Sequence, residues 1–362
     1  LLPRTETRQG FDFIQDQPFL VEFSINGLLA SSFFNFLGVP DLFDTSTGES
    51  AIGPFGLMDP LGIFAYNGLF PPEPSAWTRQ YLGWIDPDEI DPADSLQITL
   101  NPVSAVTGQN TVRIPISESE YFLVEHRRRD LAGDGLVLSV YKDGQITQQV
   151  YENGQEGFNS RLIDDFEGGV VVAVDDYDWA LPGGLDEDDN PLLGGILVWH
   201  IDEQRLLEGL SQNAVNADPE RRAIDLEDAD GAQDLGFPPN SIFGPQAHLG
   251  TPFDFYFADN PVVVITTTGE EVRLYENRFG DDTVPNSTAN AGGASFVELS
   301  QFSAPGPTMS FVYAQRTVNG LQRIYPFAGL PASQVPATSF VVTDRAAEQG
   351  VILQTGPAQD TR

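Results

Sequence analysis

Apolar residues along this chain recur mostly with the alternation of strands rather than the three-to-four spacing of helices. Short β-branched or aromatic runs at residues 96–100, 111–116, 121–126, 136–141, 170–174, 196–201, 262–267, 295–299 and 309–313 are expected as strands. Turn signals separate them, among them Asp143-Gly144, Asn153-Gly154 and Ala304-Pro305-Gly306-Pro307. Helical signal is confined to three places. Residues 26–37 carry Leu28, Leu29, Phe33, Phe34, Phe36 and Leu37 over more than one face, and are stopped by Gly38 and Pro40. Residues 74–82 open on Glu73-Pro74 and end at Gly83, and a third helix is expected over 202–210. No repeat of fixed period is visible. The expected fold is mainly β with a few helices, of the α+β class.

The length, 362 residues, allows two domains of ordinary size or one with long insertions, and the chain reads as three segments. Residues 1–102 carry the first two helices, 103–314 form a β-rich, sandwich-like lobe, and 315–362 read as an extended tail or the start of a further module. Composition then narrows the partners. There are 18 basic against 53 acidic residues, a net charge of −35, and Lys142 is the single lysine. Such a field repels phosphate backbones and anionic lipid, so nucleic acid is excluded as a partner. It suits calcium, basic partners and halophilic surroundings. Cysteine is absent, which removes disulfides, thiolate metal sites and cysteine nucleophiles. No apolar run is long enough to span a membrane. The opening Leu1-Leu2-Pro3-Arg4 is expected of a piece cut from a longer precursor.

Acidic clusters punctuate the middle of the chain at Asp164-Asp165, Asp175-Asp176-Tyr177-Asp178, 186–190 and 225–231. Taken singly, each reads as a solvated loop. Together they point to calcium, which collects six to eight oxygens from closely spaced carboxylates and carbonyls. The expected ligands are Asp186, Asp188, Asp189 and Asn190, or Asp218 with Asp225, Asp228 and Asp230 where those two segments meet. None of the clusters fits the twelve-residue EF-hand loop.

An ordered series of short strings resembles the secreted zinc metallopeptidases of the immune inhibitor A type. It begins with Gly38-Val39-Pro40-Asp41-Leu42-Phe43-Asp44-Thr45, similar to the segment after the active-site helix. Gly56-Leu57-Met58-Asp59-Pro60 resembles the methionine turn beneath the metal. Ser75-Ala76-Trp77 with Tyr81-Leu82-Gly83-Trp84 resembles the next helix. Tyr121-Phe122-Leu123-Val124-Glu125-His126-Arg127, Gly195-Ile196-Leu197-Val198-Trp199-His200-Ile201-Asp202-Glu203, Val215-Asn216-Ala217-Asp218-Pro219 and Asp225-Leu226-Glu227-Asp228-Ala229-Asp230-Gly231 follow in the family's order. The series ends at Ala304-Pro305-Gly306-Pro307-Thr308-Met309-Ser310-Phe311 and spans about residues 27–313.

The resemblance implies a zinc motif H-E-x-x-H-x-x-G-x-x-D on residues 26–37 and just beyond, with two His as ligands and Glu activating water. Here the His positions fall on Ser31 and Asn35 and the Glu position on Ser32; Asp41 keeps the third-ligand position and Met58 the turn. One remaining carboxylate does not hold zinc. No zinc and no peptidase activity are therefore expected, which makes this a pseudopeptidase. The three histidines, His126, His200 and His248, have no H-x-x-H or H-x-H partner, and His200 in an apolar run reads as a satisfied structural residue. Neither a G-x-S-x-G elbow nor a phosphate-binding glycine loop occurs.

The expected function is a non-catalytic, exported, extracellular protein acting as a structural or assembling component. Its partners would be other copies of itself or the N-terminal part of its own precursor. The alternatives are a calcium-stabilised extracellular binding module, and a hydrolase using another site. Assembly is expected because residues 26–37 are apolar on several sides and Phe11, Phe13, Phe19, Leu20, Val21 and Phe23 add further apolar surface.

Overall fold

A computed structural model describes residues 25–91, 95–105, 107–152, 169–186, 188–237, 247–265 and 268–316, and three short strands within 321–354. The upstream phenylalanines, the Asn153-Gly154 turn, Asp164-Asp165 and Glu187 lie outside the described residues. The fold is mainly β, with several sheets and few helices.

The centre is a pair of long antiparallel strands, Glu120–Arg128 and Gly194–Asp202, in register from Glu120 opposite Asp202 to Arg128 opposite Gly194. Nearly every residue of both is buried, which explains their unbroken apolar runs: covered on both faces, they have no solvent side to alternate towards. Thr111–Pro115 and Asp88–Glu89 extend the sheet on one side, and Ile224–Leu226 on the other. A second sheet runs Arg278–Phe279, Val297–Ser300, Met309–Gln315, Ser95–Leu100. Its last pairing joins strands more than 200 residues apart, Met309 standing opposite Leu100. A third sheet, Gln145–Tyr151, Leu136–Lys142, Val170–Val174, buries its own cluster of Leu136, Leu138, Val140, Tyr66, Phe70 and Trp179. One larger apolar core runs from Phe34 to Tyr313.

Among the described residues four α-helices decorate these sheets: α1 (Asn26–Phe36), α2 (Pro60–Ile63), α3 (Ala76–Tyr81) and α4 (Glu203–Leu210). α1 ends in a Schellman motif, because Gly38 takes φ +94 and lets the Gly38 and Val39 N–H groups reach the Asn35 and Phe34 carbonyls. Asp59 caps α2 through Leu61 N–H, Ser75 caps α3 through Thr78 N–H, and Asp202 caps α4 through Gln204 and Arg205 N–H. Of the strand expected over 262–267, the described residues form Val264–Ile265, paired with Glu271–Val272, and 266–267 lie outside the described residues. No helix among the described residues is long and apolar enough to cross a membrane.

Candidate functional site

α1 carries three of the residues singled out in the sequence, and it is seated on the segment from Met58 to Ile63. Gly27 makes this approach possible, since a Cβ there would stand 1.9 Å from the Ile63 carbonyl oxygen at the end of α2. The turn beneath is fixed by Asp59, fully buried, whose Oδ2 accepts from Ala51 N–H at 2.8 Å, Ile52 N–H at 3.1 Å and the Ser50 hydroxyl at 3.1 Å. Burial, partly offset by these donors, pushes the Asp59 carboxyl up to about 6. Met58 is fully buried, and its carbonyl accepts from Leu42 N–H at 2.9 Å, tying the turn to the segment after α1.

Asn35, Asp41, Ser31 and Ser32 are held as follows. Asn35 Nδ2 donates to Asp41 Oδ1 at 3.1 Å and to the Val39 carbonyl at 3.1 Å. Asn213 Nδ2 donates to Asp41 Oδ2 at 2.7 Å, and Asp41 N–H returns a bond to Asn213 Oδ1 at 2.8 Å. Both oxygens of Asp41 are thus occupied by amides. Ser31 is buried and donates its hydroxyl to the Leu28 carbonyl at 3.1 Å, inside its own helix, while Ser32 is exposed. The site can hold a carboxylate between two amides; it offers no imidazole and no free base beside it. Asn213, 172 residues from Asp41, carries no sequence signal beyond a position just after α4.

The rest of α1 faces outward. Leu28, Leu29, Phe33, Phe36 and Leu37 are exposed, Phe36 to 84%, although Phe34 and Ala30 pack inward. Trp84, also exposed, stands edge-on to Phe34 with ring centroids 5.4 Å apart. A cleft of about 600 Å³ opens beside this face, lined by Asn26, Ala30, Phe34, the Leu69-to-Pro74 segment and Val171 to Val174.

Two buried ionic networks hold the central sheet. Glu125 accepts from Trp199 Nε1 at 2.7 Å and Arg79 Nη2 at 2.6 Å. Arg127, fully buried, forks onto Asp178 at 2.8 and 2.5 Å and reaches the Phe55 and Glu73 carbonyls. Burial works against its charge, but Asp178 and Glu125 outweigh that and hold the guanidinium firmly protonated. The second network centres on His200, a satisfied structural histidine as its sequence surroundings implied. Its Nε2 lies 2.8 Å from Glu120 Oε1 and its Nδ1 3.1 Å from Glu227 Oε1. Burial alone lowers an imidazole, yet the two carboxylates reverse this and raise His200 to about 9. Glu227 is pushed up by burial, less so for facing His200. His126, bonded to the Leu100 carbonyl at 3.2 Å, is lowered to about 4 by burial.

The acidic runs divide. In 186–190, Asp186 Oδ1 accepts from Asp188 and Asn190 N–H at 2.9 and 2.8 Å, and both its oxygens accept from Asn190 Nδ2. This cluster is a self-closing turn between Gly184–Leu185 and Pro191–Leu192, with Asp188 and Asp189 exposed. Asp218 is exposed and accepts from Glu220 N–H; Asp225 pairs with Arg222 at 2.9 Å. Asp228 and Asp230, by contrast, are buried rather than solvated, because Ile224–Leu226 enters the central sheet and carries them inward. Burial and neighbouring acids raise Asp228 and Asp254 far above the ordinary carboxylate range, and burial brings Asp230 to about 7. Asp175 and Asp176 line a cleft of about 370 Å³ with Asp130 and Asp134, and Asp176 is tied to Asp130 and Asp178 N–H groups at 2.5 and 2.9 Å. Among the described residues no three His, Asp or Glu groups already stand at mutual metal-ligand spacing. The chain matches no protein-family model, no curated protein and no solved structure.

Proposed function

We propose that this chain is a non-catalytic, exported protein built on the scaffold of an immune inhibitor A-type metallopeptidase, acting outside the cell as a structural or assembling component. The observation that carries the reading is the contact between Asn35 and Asp41. In the resembled motif these positions belong to the second His and the third ligand, which must converge on one metal. Here they converge on each other at 3.1 Å, with Asn213 closing the far side of the carboxylate. On this reading the imidazole nitrogens and the water-activating carboxylate are replaced by Asn35, Ser31 and Ser32. An amide carbonyl and a hydroxyl are poor zinc donors, and Asp41 alone, engaged by two amides, does not make a zinc site.

The exposed apolar face of α1 supports the assembling part. Leu28, Leu29, Phe33, Phe36 and Leu37 form a contiguous apolar surface of the kind that marks an interface. Its occupant is a second copy of the chain or the N-terminal part of the precursor. Metal analysis and peptidase assays test the loss of chemistry. Purified chain equilibrated with zinc and desalted should retain less than one-tenth of an equivalent and should cleave no casein. One tightly held zinc that disappears in Asp41→Ala would overturn the reading.

A further inference from the structure

Three buried carboxylates meet where residues 226–237 pack against residues 247–256. Asp228, Asp230 and Asp254 are each no more than 2% exposed. The Ala229 N–H donates to the Asp254 carbonyl at 3.2 Å, joining the two segments, and the Asp230 and Asp254 side chains lie within hydrogen-bonding reach of each other. Backbone donors satisfy part of the cluster. Leu235 N–H reaches Asp228 Oδ2 at 3.1 Å, Ala232 N–H reaches Asp230 Oδ1 at 2.8 Å, and Thr251 holds Asp254 through its N–H and hydroxyl at 2.8 and 2.7 Å.

Two polar atoms there are left over. Asp228 Oδ1 is buried and accepts no hydrogen bond. The Tyr256 hydroxyl is likewise buried without a partner, on a residue 1% exposed, and its oxygen stands in electrostatic reach of Glu227, Asp228 and Asp230. Native interiors seldom leave such atoms unmatched, and a bound ion is one of the few reasons they do. No Arg or Lys ion pair reaches Asp228, Asp230 or Asp254 among the described residues; the neighbouring Arg222 is spent on Asp225 and the Leu235 carbonyl.

We infer that these two segments bind one hard divalent cation of the calcium type, with Asp228 and Asp254 as its carboxylate ligands and Asp230 and the Tyr256 hydroxyl beside it. All the donors are oxygens, which favours calcium over zinc. Calcium tolerates irregular shells, so two carboxylates completed by carbonyl and water oxygens suffice without three acids at fixed spacing. The self-closed turn at 186–190 offers nothing comparable, because it lies at the surface and leaves no buried polar atom unmatched among its described residues. The inference is independent of the assembly reading, since a monomer would bind the ion equally well.

The test uses the full chain stripped with chelator and dialysed. Calcium titrated by calorimetry should bind at about one ion per chain, and millimolar calcium should raise the melting midpoint by several degrees over chelator. Asp228→Asn and Asp254→Asn should each lose at least tenfold in affinity, while Asp186→Asn binds as wild type. In chelator the order should invert, both variants melting above wild type, because removing a charge relieves repulsion among buried carboxylates. Absence of binding heat and of any midpoint shift in wild type overturns the inference. So does retention of wild-type affinity in both variants, or greater stability of the variants with and without calcium, the signature of carboxylates that merely share protons. Should the Asn variants not fold, Tyr256→Phe serves in their place: weaker calcium binding supports the site, and unchanged affinity overturns it.

Discussion

Replacing Gly27 with alanine sets two effects of opposite sign against each other. Helix propensity favours alanine by about 0.8–1 kcal/mol in a helix interior, so a freely exposed α1 would gain from the change. Packing opposes it. A Cβ on Gly27 would stand 1.9 Å from the Ile63 carbonyl oxygen and 2.9 Å from its carbonyl carbon. Ordinary carbon contacts begin near ~3.5 Å, so α1 must lift from α2 by about 1.5 Å. The backbone of α2 cannot yield in its place, because its cap Asp59 is buried and held by Ala51, Ile52 and Ser50. Overpacking of this kind costs about 1–3 kcal/mol, and contact with rigid backbone belongs at the upper end. The net expectation is a loss of about 1–2 kcal/mol, or roughly 1–3 °C in melting midpoint for a chain of this size. Thermal melts followed by far-UV circular dichroism and by tryptophan emission read it, with Trp84 against Phe34 reporting locally on α1. Ser32→Ala, on the exposed side of the same helix, serves as a control within about 0.5 kcal/mol of wild type. A Gly27→Ala midpoint at or above wild type would refute the seating of α1 on the segment from Met58 to Ile63.

His200 should make stability fall at alkaline pH. Its imidazolium is favoured by the fold, so its contribution is complete below the unfolded value near 6.5 and is lost as pH rises through about 9. Urea midpoints between pH 6 and 10 should decline more steeply for wild type than for His200→Gln; parallel curves would remove His200 as the cause. Arg127→Met should cost about 3–5 kcal/mol by leaving Asp178 buried without its cation, while Glu125 keeps Arg79. Adding Asp178→Leu should recover part of that loss in the same melts, and a double variant no better than the single would count against the charge argument.

Much of the fold was legible along the chain because local chemistry and tertiary structure agree there. Gly38 stops α1 through its positive φ, Asp202 and Ser75 cap their helices, and the doubly covered strands announce themselves as unbroken apolar runs. The strand Gln145–Tyr151 was missed because its composition is polar, which an exposed strand permits. The turn that creates it was visible, since Asp143 and Gly144 both adopt the positive φ of a hairpin turn. Ile224–Leu226 was hidden within an acidic run, and its entry into the central sheet is what buries Asp228 and Asp230. Ser31, Ser32, Asn35, Asp41 and Met58 were singled out through the resemblance to a metallopeptidase motif. Asn213 on Asp41, Glu120 and Glu227 on His200, and Asp254 with Tyr256 beside Asp228 arise from contacts between distant segments. No local pattern encodes such contacts.

The central claim is a metallopeptidase-like scaffold turned to assembly through the apolar face of α1, and particle mass in solution tests it most directly. Multi-angle light scattering on the native chain, at physiological and at high salt, should return a mass well above 39.5 kDa that grows with concentration. Phe33→Asp with Phe36→Asp, both on exposed positions, should return a folded monomer with an unchanged far-UV spectrum. Wild-type chain that remains a monodisperse monomer at every concentration and salt, or an assembly that survives both substitutions, would contradict the account.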